Sequence, residues 1–547
     1  MMAAGEDRPW RCRQQSSMAT AGSGEDQSRL VLRGPPLTEA EVAGAELPLA
    51  AYLVQKLAAH GDRLLQVVVG QESRADWVLR QAAAELSALQ RAVPSLREGD
   101  TVAVCVGRSA LFAPALLATI CSGAVCAVVN AALPHESLRQ ALQELRPVAV
   151  LCEPQATKSV SDARPTGCPL LVLGTAEAVP DAQHLLMSRA QGLQGNNTAP
   201  AVALLTSGTT GQPKVIRIPR RNMALAMLIL TRSDAPLGKD DTLLFTTGFF
   251  WLSGTLFTFW SLDTGMKCIV TPEFNPQTVL DYIERSKPTA IFMPPNQWVS
   301  LARHSPEGRL RPAMQQVRLC FTGGAALNAE THAWVEACTG RPLVQWYGQT
   351  EALPVCNVLA SPHRPPPGSV GRLHAGVQAK VLDLQTGKCL GAGVDGELCF
   401  KGPTIIDEFV DKDGWIHTGD VGHYDTDGNF YVVDRIKELV KYRGVHVSPS
   451  EIEAWLLGHP QVSEAVVLGI PHDEDQEHPA AFVVLTPGAT VTPDELKQLV
   501  KERACGSEEK LLHGGVFVME SIPRVATGKV SKGQLRRALQ ERTMGKV

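Results

Sequence analysis

Short apolar runs alternate along the first half of the chain with segments whose apolar residues recur at helical spacing. From about Leu47 to Leu262 the runs Thr101 to Val106, Val148 to Cys152 and Leu170 to Leu173 read as strands between helical stretches, and the same texture returns from Val279 to Cys320. Strands alternating with helices predict α/β layers. Two longer uncharged stretches, Ser109 to Leu133 and Thr242 to Leu262, carry Gly and polar residues inside them, which argues against a membrane span. The first divides into a helix over Ala110 to Ile120, a stop at Ser122-Gly123 and a strand over Ala124 to Val129. Both are read as buried core, and no integral membrane span is expected.

Between Gly368 and Asp434 the pattern shifts to short strands broken by Asp395-Gly396, Asp413-Gly414 and Asp427-Gly428. These dipeptides favour tight turns, so a β-rich subdomain without long helices is predicted. After Asp434-Arg435 come helix patterns at Ser450 to Leu457, Pro493 to Glu502 and Lys532 to Arg542, with strands at Ala465 to Gly469 and Ala480 to Leu485. Ser450 and Glu453 stand at capping-box spacing for the first of these helices. The predicted class is α/β: a tail over 1–45, a large multi-subdomain α/β domain over 46–436 with the β-rich part inside it, and a small mobile α+β domain over 437–547.

Length supports more than one packed unit, since 547 residues exceed what a single core sustains. A net charge of -4 with 20% charged residues shows no basic excess for nucleic acid or an anionic membrane. The 13 cysteines form no C-x-x-C pair and no Cys/His cluster at zinc-ligand spacing, so they are read as small core residues in a reducing compartment. Arg8, Arg11 and Arg13 are diluted by Glu6 and Asp7, and the end Gly545-Lys546-Val547 is not a peroxisomal address. Cytoplasm is the default location, and the sequence is silent on oligomeric state.

The chemistry concentrates in a few motifs. Thr206, Ser207, Gly208, Thr209, Thr210, Gly211, Gln212, Pro213 and Lys214 follow directly on the apolar run Ala201 to Leu205. Glycines let a backbone approach phosphates, hydroxyls and amides donate, and a lysine adds positive charge, so the segment suits a phosphate-binding loop; the alternative, a flexible Ser/Thr/Gly linker, leaves the lysine and the preceding strand unexplained. Pro213 separates it from the P-loop pattern. Further on stand Phe321-Thr322-Gly323-Gly324-Ala325-Ala326, Gln345-Trp346-Tyr347-Gly348-Gln349-Thr350-Glu351, Gly414-Trp415-Ile416-His417-Thr418-Gly419-Asp420, and a segment from Val433 through Lys437 and Lys441 to Gly444. Last comes Pro523-Arg524-Val525-Ala526-Thr527-Gly528-Lys529-Val530. Taken singly, the later ones are also consistent with a capped helix start, a β-turn and solvated basic residues.

In this order the motifs resemble the acyl-adenylate-forming enzymes, which include acyl-CoA and 4-coumarate-CoA ligases, beetle-type luciferases and the adenylation domains of peptide synthetases. The resemblance runs from about Leu47 to the C-terminus. It implies ATP, Mg²⁺ and coenzyme A as reactants and a small-molecule carboxylic acid as substrate. It further implies that Gly324, Ala325 and Tyr347 flank the adenine, Thr350 meets the α-phosphate, Glu351 holds the Mg²⁺, and Asp420 with Arg435 binds the ribose. Lys437 is then the hinge, Lys441 to Gly444 face the thiol channel, and Lys529 bridges the attacking carboxylate and the α-phosphate.

The match weakens over Phe245 to Gly254, where many relatives carry a histidine and this chain has none. Phe249, Phe250 and Trp251 are open to two readings, as walls of an acyl pocket or as ordinary core at a helix start. Trp346, where many members carry Gly, is expected to narrow that pocket. Gly348 leaves open a place that acetate-specific enzymes block, so a fatty or aryl acid is preferred over acetate. A luciferase-like monooxygenase and a non-catalytic nucleotide-binding homologue are the alternatives.

Overall fold

A computed structural model describes residues 30–46, 48–193, 197–207, 213–231, 237–306, 308–357, 366–523 and 530–544. Among them the strands form three sheets. In the six-stranded sheet the order is Leu170–Val172, Ala149–Cys152, Thr101–Val106, Val125–Asn130, Pro200–Ser207 and Pro213–Pro219, parallel except for the last pair. The central strand Thr101–Val106 is buried at every position, as parallel strands covered on both faces must be.

The fourteen-stranded sheet has two halves. Leu64–Val68, Lys267–Val270, Thr242–Phe245, Ala290–Phe292, Leu319–Gly323 and Leu343–Gln349 run parallel. From Leu353–Asn357 onward the sheet continues antiparallel through Ser369–Leu373, Phe430–Arg435, Ile416–Tyr424, Gly396–Lys401 and Gln378–Leu382. The β-rich segment is therefore edge-continuous with the α/β half, although it closes its own apolar cluster around Phe400, Phe430 and Val381. The short 3₁₀ turn Asp407–Phe409 is the one helical element described there.

Both long apolar stretches lie in the core. Every residue of the helix Phe112–Cys121 is buried, and the helix Leu252–Thr264 buries all but its ends. No described helix is long and apolar enough to cross a membrane. The free cysteines are mostly buried, in keeping with a packing role; Cys121 and Cys268 have their thiols pushed up to about 12 by burial.

The third sheet holds five strands, Val440–Tyr442, Val445–Val447, Val462–His472, Gln476–Leu485 and Gly515–Val518. Helices Pro449–Leu457 and Pro493–Arg503 cover one face and Lys532–Met544 the other. The capping expectation at Ser450 needs correction. Pro449 takes the first helical position, so Ser448 is the N-cap and its Oγ accepts from Glu451 N–H, the usual arrangement for proline at that place. Ser450 N–H donates instead to Asp434 at 3.0 Å, and Glu453 accepts from Val467 N–H at 2.7 Å.

Candidate active site

The strands place the motif side chains by alternation. Along Leu343–Gln349, Tyr347 and Gln349 share one face, and both reach Asp420 on the antiparallel half. Tyr347 Oη donates to Asp420 Oδ2 at 2.7 Å and Gln349 Nε2 donates to the same oxygen at 2.7 Å. Gln349 also donates to Thr418 O at 2.9 Å. Asp420 and Arg435 are register partners, and Arg435 Nε meets Asp420 Oδ1 at 2.9 Å. Asp420 is 4% exposed, and its buried carboxyl group has donors on both oxygens, as the burial of a polar group requires. Burial, with the Asp420 charge second, holds the Tyr347 phenol well above its ordinary range. That keeps it a neutral donor.

Beside Tyr347's strand the loop after Leu319–Gly323 is open. Gly324 has φ +86°, and a Cβ added there meets nothing within 4 Å; Ala325 next to it is exposed. Gly324 and Ala325 thus leave the loop without bulky side chains at the end of the strand that pairs with Tyr347's.

The phosphate-loop motif straddles a hairpin in which Thr206 pairs with Lys214 and Ser207 with Pro213. Gly208, Thr209, Thr210 and Gly211 lie outside the described residues. Lys214 Nζ stands 4.3 Å over the Phe409 ring, and Phe409 ends the turn Asp407–Phe409, before which Ile406 N–H donates to Glu351 O at 3.0 Å. Lys214 and Glu351 thus border the same short turn. Among the described residues the Glu351 carboxylate has no hydrogen-bond or ion-pair partner, which suits a hard cation that prefers oxygen donors. Thr350, beside it in the turn, is partly exposed.

The pocket expectations divide. Phe249 takes the core reading: it is fully buried and stacks on Phe112 at 4.5 Å. Phe250 and Trp251 stay partly exposed. Trp346 is 9% exposed and packs on Phe321, Phe257 and Trp260 with ring centroids 4.7, 6.3 and 6.3 Å away. Gly348 answers to backbone geometry, because a Cβ there would stand 2.4 Å from Leu353 O beside a register shift. Its lack of side chain is a requirement of the strand pairing as well as of any space beyond.

Lys437 is exposed in the turn after Phe430–Arg435. With Lys441, Asp383, Glu397 and His417 it borders a cleft of about 860 Å³. Asp434 ties the strand before Lys437 to the following helix: its Oδ2 accepts from Ser448 Oγ at 2.6 Å and from Ser450 N–H at 3.0 Å. Arg443 Nε meets Asp475 Oδ1 at 2.5 Å, and Gly444 N–H donates to Gln476 Oε1 at 2.7 Å. Lys529 lies outside the described residues.

Sequence reading missed Gln349 and Asp434. Gln349 was signalled by its i+2 relation to Tyr347; Asp434 carried no signal beyond its place before Arg435.

This arrangement coincides with known sequences. Residues 73–409 match the family model described as AMP-binding enzyme, and residues 451–529 match the AMP-binding enzyme C-terminal domain. The chain belongs to the AMP-binding enzyme family. Rice 4-coumarate--CoA ligase 5 is 30% identical over 523 residues, covering 90% of this chain and 95% of that one. Luciferin 4-monooxygenase of Photinus pyralis is 32% identical over 356 residues, covering 62% and 63%. Among solved structures, ATP-bound MatB from Rhodopseudomonas palustris superposes with a TM-score of 0.77 at 26% identity, covering 89% of this chain and 98% of that one. As an AMP-binding enzyme of the acyl-adenylate-forming kind, the chain has the mixed α/β fold with a smaller C-terminal domain that its motifs imply.

Proposed function

We propose that this chain is an acid–thiol ligase: it condenses a carboxylic acid with ATP to an acyl-adenylate, releasing pyrophosphate, and passes the acyl group to coenzyme A. The observation that carries the reading is the buried Asp420 carboxylate, oriented by Tyr347, Gln349 and Arg435 beside the open Gly324–Ala325 wall. In this reading Asp420 and Arg435 take the ribose, and Tyr347 with Gly324 and Ala325 flanks the adenine. Thr206 to Gly211 and Lys214 cradle the phosphates, and Thr350 meets the α-phosphate. Glu351 would hold Mg²⁺, which supplies positive charge against the polyphosphate.

The substrate carboxylate is already ionised and needs no general base. Its oxygen attacks the α-phosphorus in line, the bond to the bridging oxygen breaks, and pyrophosphate leaves with that electron pair. Two anions must meet, so catalysis is positioning and charge stabilisation by Lys529 and Lys214. Rotation at Lys437 then withdraws Lys529 and brings Lys441 to Gly444 toward the thiol, making 46–436 and 437–547 the two moving bodies. The CoA sulfur attacks the acyl carbonyl and AMP departs.

Trp346 occupies volume between Phe321, Phe257 and Trp260, which favours a compact aryl or medium-chain acid over a long fatty chain. The similarity to 4-coumarate ligases points the same way. The similarity to a luciferin monooxygenase motivates a second reading, in which oxygen replaces the thiol. Purified protein with ATP, Mg²⁺, CoA and a panel of acids decides: acid-dependent AMP with an acyl-CoA mass supports the ligase. AMP release with oxygen uptake and no thioester supports the monooxygenase, and ATP binding without AMP defeats both.

A further inference from the structure

At the tip of the hairpin joining Val462–His472 to Gln476–Leu485, three metal-ligating side chains converge at a spacing of three: His472, Asp475 and His478. Asp475 sits in the turn, and His478 is two residues into the return strand, paired with Ile470. His478 Nε2 lies 2.8 Å and His472 Nδ1 3.6 Å from the same oxygen, Asp475 Oδ2. The two imidazoles lie face to face, centroids 3.9 Å apart and planes 20° from parallel.

We propose that this hairpin tip binds a borderline transition-metal ion, zinc by preference, through His472 Nδ1, Asp475 Oδ2 and His478 Nε2. The site goes beyond the adenylating reaction and is separate from Glu351. A tetrahedral zinc with ligands at about 2.0–2.1 Å has ligand–ligand edges of roughly 3.3 Å. The distances of 2.8 and 3.6 Å bracket that edge for the two His–Asp pairs, and because imidazole lone pairs lie in the ring planes, the two stacked rings must turn out of their near-parallel arrangement to aim both nitrogens at one ion. The ion displaces the His478–Asp475 hydrogen bond, and His472 Nδ1 gives up the Asp475 N–H that it accepts at 3.2 Å. Imidazole nitrogen selects zinc, copper or nickel over magnesium. Asp475 is 8% exposed, and its other oxygen is held by Arg443 Nε at 2.5 Å, which fixes the orientation of the carboxylate. With three protein ligands, a fourth position is left to water.

The sequence pattern was overlooked because the ligands combine His with Asp across a turn, outside the Cys/His spacings of zinc motifs.

The test uses the full chain, purified without a polyhistidine tag and stripped with chelator, then titrated with zinc chloride against a chromophoric chelator in magnesium buffer. One equivalent is expected to bind. His472→Gln and His478→Gln should each weaken it at least ~100-fold, since even outer-shell losses cost 10–100-fold. His135→Gln, on the exposed start of another helix, should leave it unchanged. If a variant fails to fold, X-ray absorption of the zinc-loaded native chain replaces it and should show imidazole scattering. No stoichiometric zinc, a site untouched by both substitutions, or a spectrum without imidazole overturns the proposal.

Discussion

Glu453 offers a test of how the small domain is held. Its carboxylate accepts Val467 N–H at 2.7 Å, pinning the helix Pro449–Leu457 to the sheet. Burial pushes its pKa from the ordinary 4.5 up to about 7, against the lowering effects of that hydrogen bond and of Lys532, while Asp434 and Glu438 raise it further. A carboxyl whose folded pKa is raised stabilises the fold fully below the unfolded value. That contribution is lost as pH rises through the folded value, here between about 4.5 and 7. At ~1.4 kcal/mol per tenfold, the loss by pH 8 is about 3 kcal/mol. Glu453→Gln keeps an oxygen for Val467 N–H and cannot ionise. Amide hydrogen exchange over Val462–His472, corrected for intrinsic rates, should show native-chain protection falling from pH 5 to 8 and the variant nearly flat. Parallel pH profiles in the two proteins would refute the reasoning.

Three further outcomes follow from the site. Tyr347→Phe and Gln349→Leu each remove a donor from the buried Asp420 carboxylate, worth ~1.5–3 kcal/mol, so kcat/KM for ATP should fall about tenfold or more in steady-state assays; unchanged values would remove Asp420 from the ribose site. Trp346→Ala should lower stability by roughly 3–5 kcal/mol in denaturant unfolding and raise the relative kcat/KM for longer acids; an unaltered acid profile would separate Trp346 from the acyl pocket. Gly348→Ala, with its Cβ against Leu353 O at 2.4 Å, should cost about 1–3 kcal/mol of stability, measurable by thermal unfolding; a neutral result would show that the bulge yields.

Much of this was legible because local pattern and tertiary fold agree. Thr101–Val106 was read to the residue, since a continuous apolar run bounded by polar residues has no other use in a parallel sheet. The helices after Pro493 and Lys532 begin where their sequence patterns place them. The cap at Ser448 was misplaced because the box spacing of Ser450 and Glu453 outweighed the proline between Ser448 and Ser450. That the β-rich segment extends the large sheet depends on the pairing of Leu353–Asn357 with Ser369–Leu373, a long-range choice with no local signal. The Asp420 network was half visible: motif order named Asp420 and Tyr347, while Gln349, although it shares Tyr347's strand face, shows its bond to Asp420 only when both strands stand side by side.

The central claim is that carboxylate and ATP meet over this cradle under a lysine delivered from the small domain. Acid-dependent exchange of labelled pyrophosphate into ATP tests it most directly, run without CoA on the native chain, Lys529→Ala and Lys441→Ala. Exchange should be robust in the native chain, abolished in Lys529→Ala and retained in Lys441→Ala, which should be slow only in thioester formation. Exchange surviving in Lys529→Ala, or equal damage to both steps in both variants, would contradict it.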